Sequence, residues 1–169
     1  MKMANRLLGF VDNLSEWTGR VAGFLMFTLA FIVGYEVVLR YVFDSPTIWA
    51  HETAAMFFGA FIMLGGAYTL RHQAHVNMDI IYGRLPARGK AILDIITFVL
   101  FFLFCWLLLR DGWNLAWKSL LANEHASTVW APPVYPLRMM LPVGAFLILL
   151  QGLAKLARDV ITASTGRVT

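Results

Sequence analysis

The chain has 169 residues, 59% of them hydrophobic and only 14% charged, with a formal net charge of +4. That apolar share excludes an ordinary soluble domain, and a lone cysteine, Cys105, excludes an internal disulfide or a cysteine-built metal cluster. The basic excess does not indicate nucleic acid, because the cations are dispersed between four apolar runs rather than gathered in one patch.

Residues 1–20 read as an amphipathic prelude. Leu7, Val11, Leu14, Thr18 and Val21 recur at helical spacing, and Arg6, Asp12, Asn13 and Glu16 fall elsewhere on the wheel. The pattern predicts a segment lying in the cytoplasmic interface that turns into the first span near residue 21. Charges at Asp12, Glu16 and Arg20 precede the first apolar run, which does not fit a secretory signal peptide.

The four apolar runs predict an all-α membrane protein with spans at about 21–41, 49–70, 91–113 and 135–156, and a cytoplasmic tail over 157–169. Each run holds about 20 residues or more, enough to cross a hydrocarbon core roughly 30 Å thick. The stretch 53–70 carries no charge over 18 residues, which a half-exposed soluble helix would not tolerate.

At the outer end of the first span, Glu36 and Arg40 stand i, i+4 with the acid first, the favourable order for a helical pair. Asp44-Ser45-Pro46 then marks a turn into a second helix, so the first two spans form a tight antiparallel hairpin. Glu52 opens the second helix, where its charge suits the helix dipole. Glu52, Ala55, Gly59 and Gly66 share one face, a stripe of mostly small residues suited to close helix packing. This placement predicts an ion pair from Glu52 to Arg40 across the hairpin.

The inner loop 71–90 alternates Val76, Ile80 and Ile81 with Asn77 and Asp79, predicting one or two interfacial turns before Gly83-Arg84-Leu85-Pro86 breaks the chain. The third helix has an uncharged centre and can continue outward through Trp113, Asn114, Trp117 and Lys118. In the longest outer segment, 119–136, Pro132, Pro133 and Pro136 exclude a regular helix. Pro142 falls in an early turn of the fourth helix, where few upstream carbonyls need its missing N–H, and Gly144 follows.

With both termini inside, the inner side holds Lys2, Arg6, Arg20, Arg71, Arg84, Arg88, Lys90, Lys155, Arg158 and Arg167. Only Arg40, Arg110, Lys118 and Arg138 lie outside. This bias predicts an N-in, C-in topology, with the cations as anchors at phospholipid headgroups.

The histidines do not form a haem or metal site: His51 and His125 lie at the outer edge, His72 and His75 at the inner edge, and none at mid-span. No phosphate loop, nucleophile elbow or catalytic constellation appears, so neither an enzyme nor a cofactor is expected. No internal repeat is visible and no span is broken at its centre, unlike many self-contained transporters.

Taken in order, Glu36-Val-Val-Leu-Arg40-Tyr41-Val42-Phe43, then Trp49-Ala-His-Glu52, then Arg71 with His75-Val76-Asn77-Met78-Asp79, and finally Pro136 and Leu141-Pro142-Val143-Gly144 form a pattern. It resembles the small membrane subunit of tripartite ATP-independent periplasmic (TRAP) transporters over about residues 15–158. The resemblance implies a non-catalytic scaffold subunit in the bacterial inner membrane. Its partners would be a large sodium-coupled, elevator-type membrane subunit and a periplasmic substrate-binding protein that delivers organic acids. It also implies helix-end and partner-interface roles for Arg40, Trp49, Glu52, Arg71, His75, Asp79, Pro142 and Gly144. A possible docking face would hold Asp44, Trp117, Lys118, Glu124 and Trp130. The Pro-rich segment around Trp130 departs from simpler members. Two rival readings stay open: a small multidrug proton antiporter working through Glu36, and a membrane anchor for a redox complex.

Overall fold

The computed structural model describes residues 2–72 and 87–165. Four helices account for nearly all of them: α1 (Lys2–Val42), α2 (Ala50–Arg71), α3 (Ala87–Leu121) and α4 (Tyr135–Thr165). Each contains a stretch long and apolar enough to cross a membrane, so the chain is a multi-pass membrane protein.

Chain connectivity and spatial order differ. α1 packs along α2, α2 against α4, and α4 most extensively against α3, while α1 meets α4 over a shorter length. α4 is therefore the central helix: 44% of its apolar window is buried, against 6% in α1 and α2. The buried residues are mainly small, among them Ala22, Ala50, Ala67, Cys105, Ala116, Ala145 and Ala154. Small side chains let helix backbones approach closely, which matters where lipid tails remove the hydrophobic drive between helices. Phe24, Phe27, Phe31, Ile96, Leu100 and Phe104 point outward instead.

α1 differs from the sequence reading in two ways. It runs unbroken past residues 20–21, where a turn was expected, because no proline or glycine pair interrupts the hydrogen-bond ladder there. Its 41 residues extend roughly 60 Å at 1.5 Å per residue, about twice the hydrocarbon thickness. The packed face also holds small and polar residues beside the expected ones: Ser15, Thr18 and Ala22 are buried and Val11, Leu14 and Val21 half-buried, whereas Phe10 and Trp17 are exposed. At the other end of the chain, α4 continues helically through residues assigned to a tail, as far as Thr165.

α3 extends to Leu121, carrying the Trp113–Trp117 stack at 6.1 Å. Pro136 stands inside the first turn of α4 rather than in the preceding loop; there a missing N–H removes no helical bond. Pro142 is buried in α4, and its ring lies near Gly112 of α3. Two residues on, a Cβ at Gly144 would sit 2.6 Å from the Met63 carbonyl oxygen of α2, so α4 touches backbone on that side. The stripe on α2 does face α4 at Gly59, against Leu137, and at Gly66, against Ile148; Ala55 is exposed. The inner-loop turns expected at 73–86, with His75 and Asp79, lie outside the described residues.

Candidate functional site

Polar side chains concentrate in two clusters at opposite ends of the bundle. One lies where residues 12–19 of α1, the end of α2 and the second half of α4 meet, nearest the two chain termini. The other lies at the α1–α2 connection, with the α3–α4 connection at the same end.

At the termini end, Asp12 of α1 is the hub. Its Oδ2 accepts from Arg158 of α4 at 2.6 Å, and its Oδ1 accepts from Gln151 Nε2 at 3.2 Å. Gln151 Oε1 in turn accepts from Ser15 Oγ at 2.8 Å, and both residues are essentially fully buried. Arg71, the last residue of α2, donates to the Asp12 backbone carbonyl at 2.6 Å and to Glu16 Oε2 at 2.8 Å. His72 lies 3.4 Å from the same Glu16 oxygen, and its ring stands against Tyr68 at 4.4 Å. Tyr68 fills the space beside Gly19, where an added Cβ would come within 2.2 Å of the ring. The cluster thus ties α1, α2 and α4 together.

Of these residues, sequence reasoning singled out only Arg71 as a site. It placed Asp12 and Glu16 away from the apolar positions, read Arg158 only as a topology anchor, and passed over Ser15 and Gln151. The available signal was Gln151, a polar amide inside an apolar run, and Ser15-Thr18-Ala22 at helical spacing. In a membrane such residues mark helix contacts, because lipid cannot satisfy them.

At the opposite end, Glu36 is held from two sides. Arg40 donates to Oε1 from Nε at 3.1 Å and from Nη2 at 2.6 Å. Thr47 gives its backbone N–H to Oε2 at 3.2 Å, and its hydroxyl donates to the same oxygen. The Thr47 hydroxyl also accepts from the Ala50 N–H at 3.3 Å, capping the start of α2. Asp44 takes a positive φ of 48°, and Ser45 N–H reaches back to Leu39 O at 3.0 Å, so the chain reverses tightly. Trp49 stacks on Tyr35 at 6.2 Å. These contacts fix the α1–α2 hairpin.

The bridge expected between Arg40 and Glu52 is not formed. Arg40 is committed to Glu36, one helical turn behind it, in a geometry that needs no reach across the hairpin. Glu52 instead has one carboxylate oxygen buried without a partner among the described residues.

The α3–α4 connection is ordered by backbone bonds. Ala126 N–H donates to Pro132 O and Val134 N–H to Glu124 O, both at 2.9 Å, around an antiparallel His125–Pro133 bridge. Glu124 receives a two-pronged contact from Arg138 of α4, with Nη2 to Oε1 at 2.7 Å. A fork of this kind is the strong form of an arginine–carboxylate pair. Trp130, Pro132 and Pro133 roof an apolar groove of about 410 Å³ whose walls include Thr53, Met56 and Leu137. Trp117, Lys118 and Asp44 are exposed at this same end and are not drawn into one surface with Glu124 and Trp130 by any direct contact.

The family of tripartite ATP-independent periplasmic transporters, DctQ component, matches residues 29–162. Among similar proteins, the C4-dicarboxylate TRAP transporter small permease protein DctQ of Vibrio cholerae is 24% identical over 110 residues, 65% of this chain and 46% of that protein. The sialic acid TRAP transporter permease protein SiaT of Haemophilus influenzae is 31% identical over 99 residues, 56% of this chain but 16% of its own length. The isethionate TRAP transporter permease protein DctMQ of Oleidesulfovibrio alaskensis is 28% identical over 160 residues, 91% of this chain and 25% of that protein. The aligned segment is thus about half or less of each of these relatives. With four apolar helices and a family match over most of its length, this chain belongs to the DctQ family, the small permease component of TRAP transporters.

Proposed function

We propose that this chain is the stationary brace of a sodium-driven, binding-protein-dependent importer of organic acids in a bacterial inner membrane. It holds a large elevator-type membrane subunit at fixed depth and helps seat a periplasmic binding protein. On this reading the termini end faces the cytoplasm and the two short connections face the periplasm, as the bias of Lys and Arg favours.

The observation that carries the reading is the placement of polar contacts. Asp12, Ser15, Glu16, Arg71, Gln151 and Arg158 lock three helices at one end; Glu36, Arg40 and Thr47 lock the hairpin at the other. Between them, among the described residues, the helices meet mainly through alanine and glycine, and no run of polar groups lies along the contact. A brace needs such end-to-end fastening, and a conduit needs the opposite. Two relatives carry the aligned segment as 16% and 25% of a longer permease chain, which supports a large permease as the partner here. The substrates for which the relatives are named, a C4-dicarboxylate, sialic acid and isethionate, are all organic acids, which supports that class. Sodium coupling and binding-protein delivery come with the family resemblance.

The antiporter reading asks Glu36 to exchange protons with a transported cation. Its carboxylate is already engaged by Arg40 and by two Thr47 donors, so it is poorly placed for that task. The test is reconstitution into sodium-gradient vesicles. The chain alone is expected to move no organic acid; adding the large permease and its loaded binding protein restores uptake. Flux by the chain alone would overturn the proposal.

A further inference from the structure

Beyond this bracing role, we propose that the crevice between α1 and α2 at the loop end is a binding site for one phospholipid. The lipid phosphate sits on Arg40 and an acyl chain runs down the helix pair. The crevice has a volume of about 250 Å³. Its rim is polar, with Arg40, Tyr41 and His51, and its floor is apolar, with Val33, Val37 and Ala54.

Arg40 has donors to spare. A guanidinium carries five N–H groups. Two of them reach Glu36, one from Nε and one from Nη2. The others find no partner among the described residues, and the side chain is 49% exposed. Glu36 does not compete for them, because Thr47 serves its second oxygen twice and the carboxylate is only 12% exposed. The ion pair therefore orients the guanidinium and leaves its outer edge for a second anion. A planar, forked donor of this type suits a phosphate.

Depth selects the ligand. From Val33 to Arg40 the helix rises roughly 10 Å, at 1.5 Å per residue. With Arg40 and Tyr41 at the membrane–water boundary, the floor lies among acyl chains. Only a molecule with an anionic head and a long apolar tail meets both ends at once. A soluble protein's carboxylate could meet Arg40 but could not fill the floor. The site would fix the hairpin to one leaflet, as basic pockets between spans do for headgroups.

The test uses the full chain in detergent with dioleoylphosphatidylglycerol, dioleoylglycerol or inorganic phosphate as probes, and native mass spectrometry to count what is retained. One phosphatidylglycerol per chain is expected to survive, with neither dioleoylglycerol nor phosphate replacing it at equal concentration. Arg40→Gln should reduce retention about tenfold, the equivalent of one charge-assisted hydrogen bond. Val37→Trp, which keeps both members of the ion pair and adds bulk to the apolar floor, should reduce it similarly, and Lys118→Gln should not change it. Equal retention of dioleoylglycerol, displacement by inorganic phosphate, or full retention in Val37→Trp would each overturn the proposal. Because Val37→Trp deletes none of the groups that bond Glu36, that arm remains decisive even if Arg40→Gln fails to fold. None of these outcomes bears on whether the chain transports by itself, so the site and the bracing role fail separately.

Discussion

Replacing Gln151 by leucine tests whether the termini-end cluster holds the bundle. Gln151 is 1% exposed and Ser15 2%, so their 2.8 Å bond is shielded from water on both sides. Leucine is of similar size, so the packing is nearly preserved and the loss is polar. One neutral hydrogen bond disappears, worth about 1 kcal/mol net, and one longer bond to the Asp12 carboxylate, worth about as much. Ser15 can turn its hydroxyl back to the carbonyl four residues earlier, which limits the cost of stranding it. Asp12 keeps Arg158 and is 23% exposed, so its loss is partial. Interhelical bonds within membranes average nearer 0.6 kcal/mol, which sets the lower bound. The expected destabilisation is therefore roughly 1–3 kcal/mol. Denaturant titration in mixed micelles would measure it, alongside Ser15→Ala and the double variant. If Ser15 and Gln151 act as a pair, the double variant should cost less than the sum of the singles by about 0.5–1 kcal/mol. A Gln151→Leu protein as stable as its parent, or strictly additive variants, would refute the claim that this bond fastens α1 to α4.

Gly144→Ala should weaken the bundle by about 1–3 kcal/mol, because the new methyl group would meet the Met63 backbone, which cannot rotate away. Gly23→Ala meets open space and should be neutral or gain up to about 1 kcal/mol of helix propensity; unfolding of the two variants side by side would expose an error in the α2–α4 approach. Thr47→Val removes a hydroxyl that serves both Glu36 and the Ala50 N–H, and should cost about 1–2 kcal/mol in the same titration. Arg138→Gln should release the α3–α4 connection, seen as faster protease cleavage within residues 122–134 while the helices stay protected.

The four spans were legible because lipid imposes a length and polarity rule that each run obeys separately. The hairpin between α1 and α2 was equally plain, since Asp44, Ser45 and Pro46 give the turn locally. The fastening of the bundle was not. Asp12 meets Gln151 and Arg158 across nearly the whole chain, and no local pattern encodes such a pairing. The helical-wheel reading of residues 5–20 found part of the packed face, with Thr18 buried and Val11 and Leu14 half-buried, but missed its small and polar members. In water the large apolar side goes inward; in a bilayer the small and polar side does, as Ser15, Thr18 and Ala22 do here. Glu52 was rightly placed at the start of α2, but its partner was inferred from proximity in a hairpin. Arg40 had a nearer carboxylate on its own helix.

The two clusters also determine which motions remain cheap. Sliding α1 along α2 must break Arg71 from Asp12 and Glu16 at one end and disturb, at the other, Thr47 of the connection, which holds both Glu36 and the first N–H of α2. Tilting α1 away from α4 must break Asp12 from Arg158 and Ser15 from Gln151. α3 is attached differently. It rests on α4 through close packing, with Gly152 against Phe101 and Gly112 against Leu141, and through the Glu124–Arg138 fork just past its end. Packing of small against large side chains resists separation without the directional geometry that an ion pair imposes. The polar contacts therefore fasten α1, α2 and α4 to one another, whereas α3 is held to α4 by the most extensive packing in the bundle and by one ion pair.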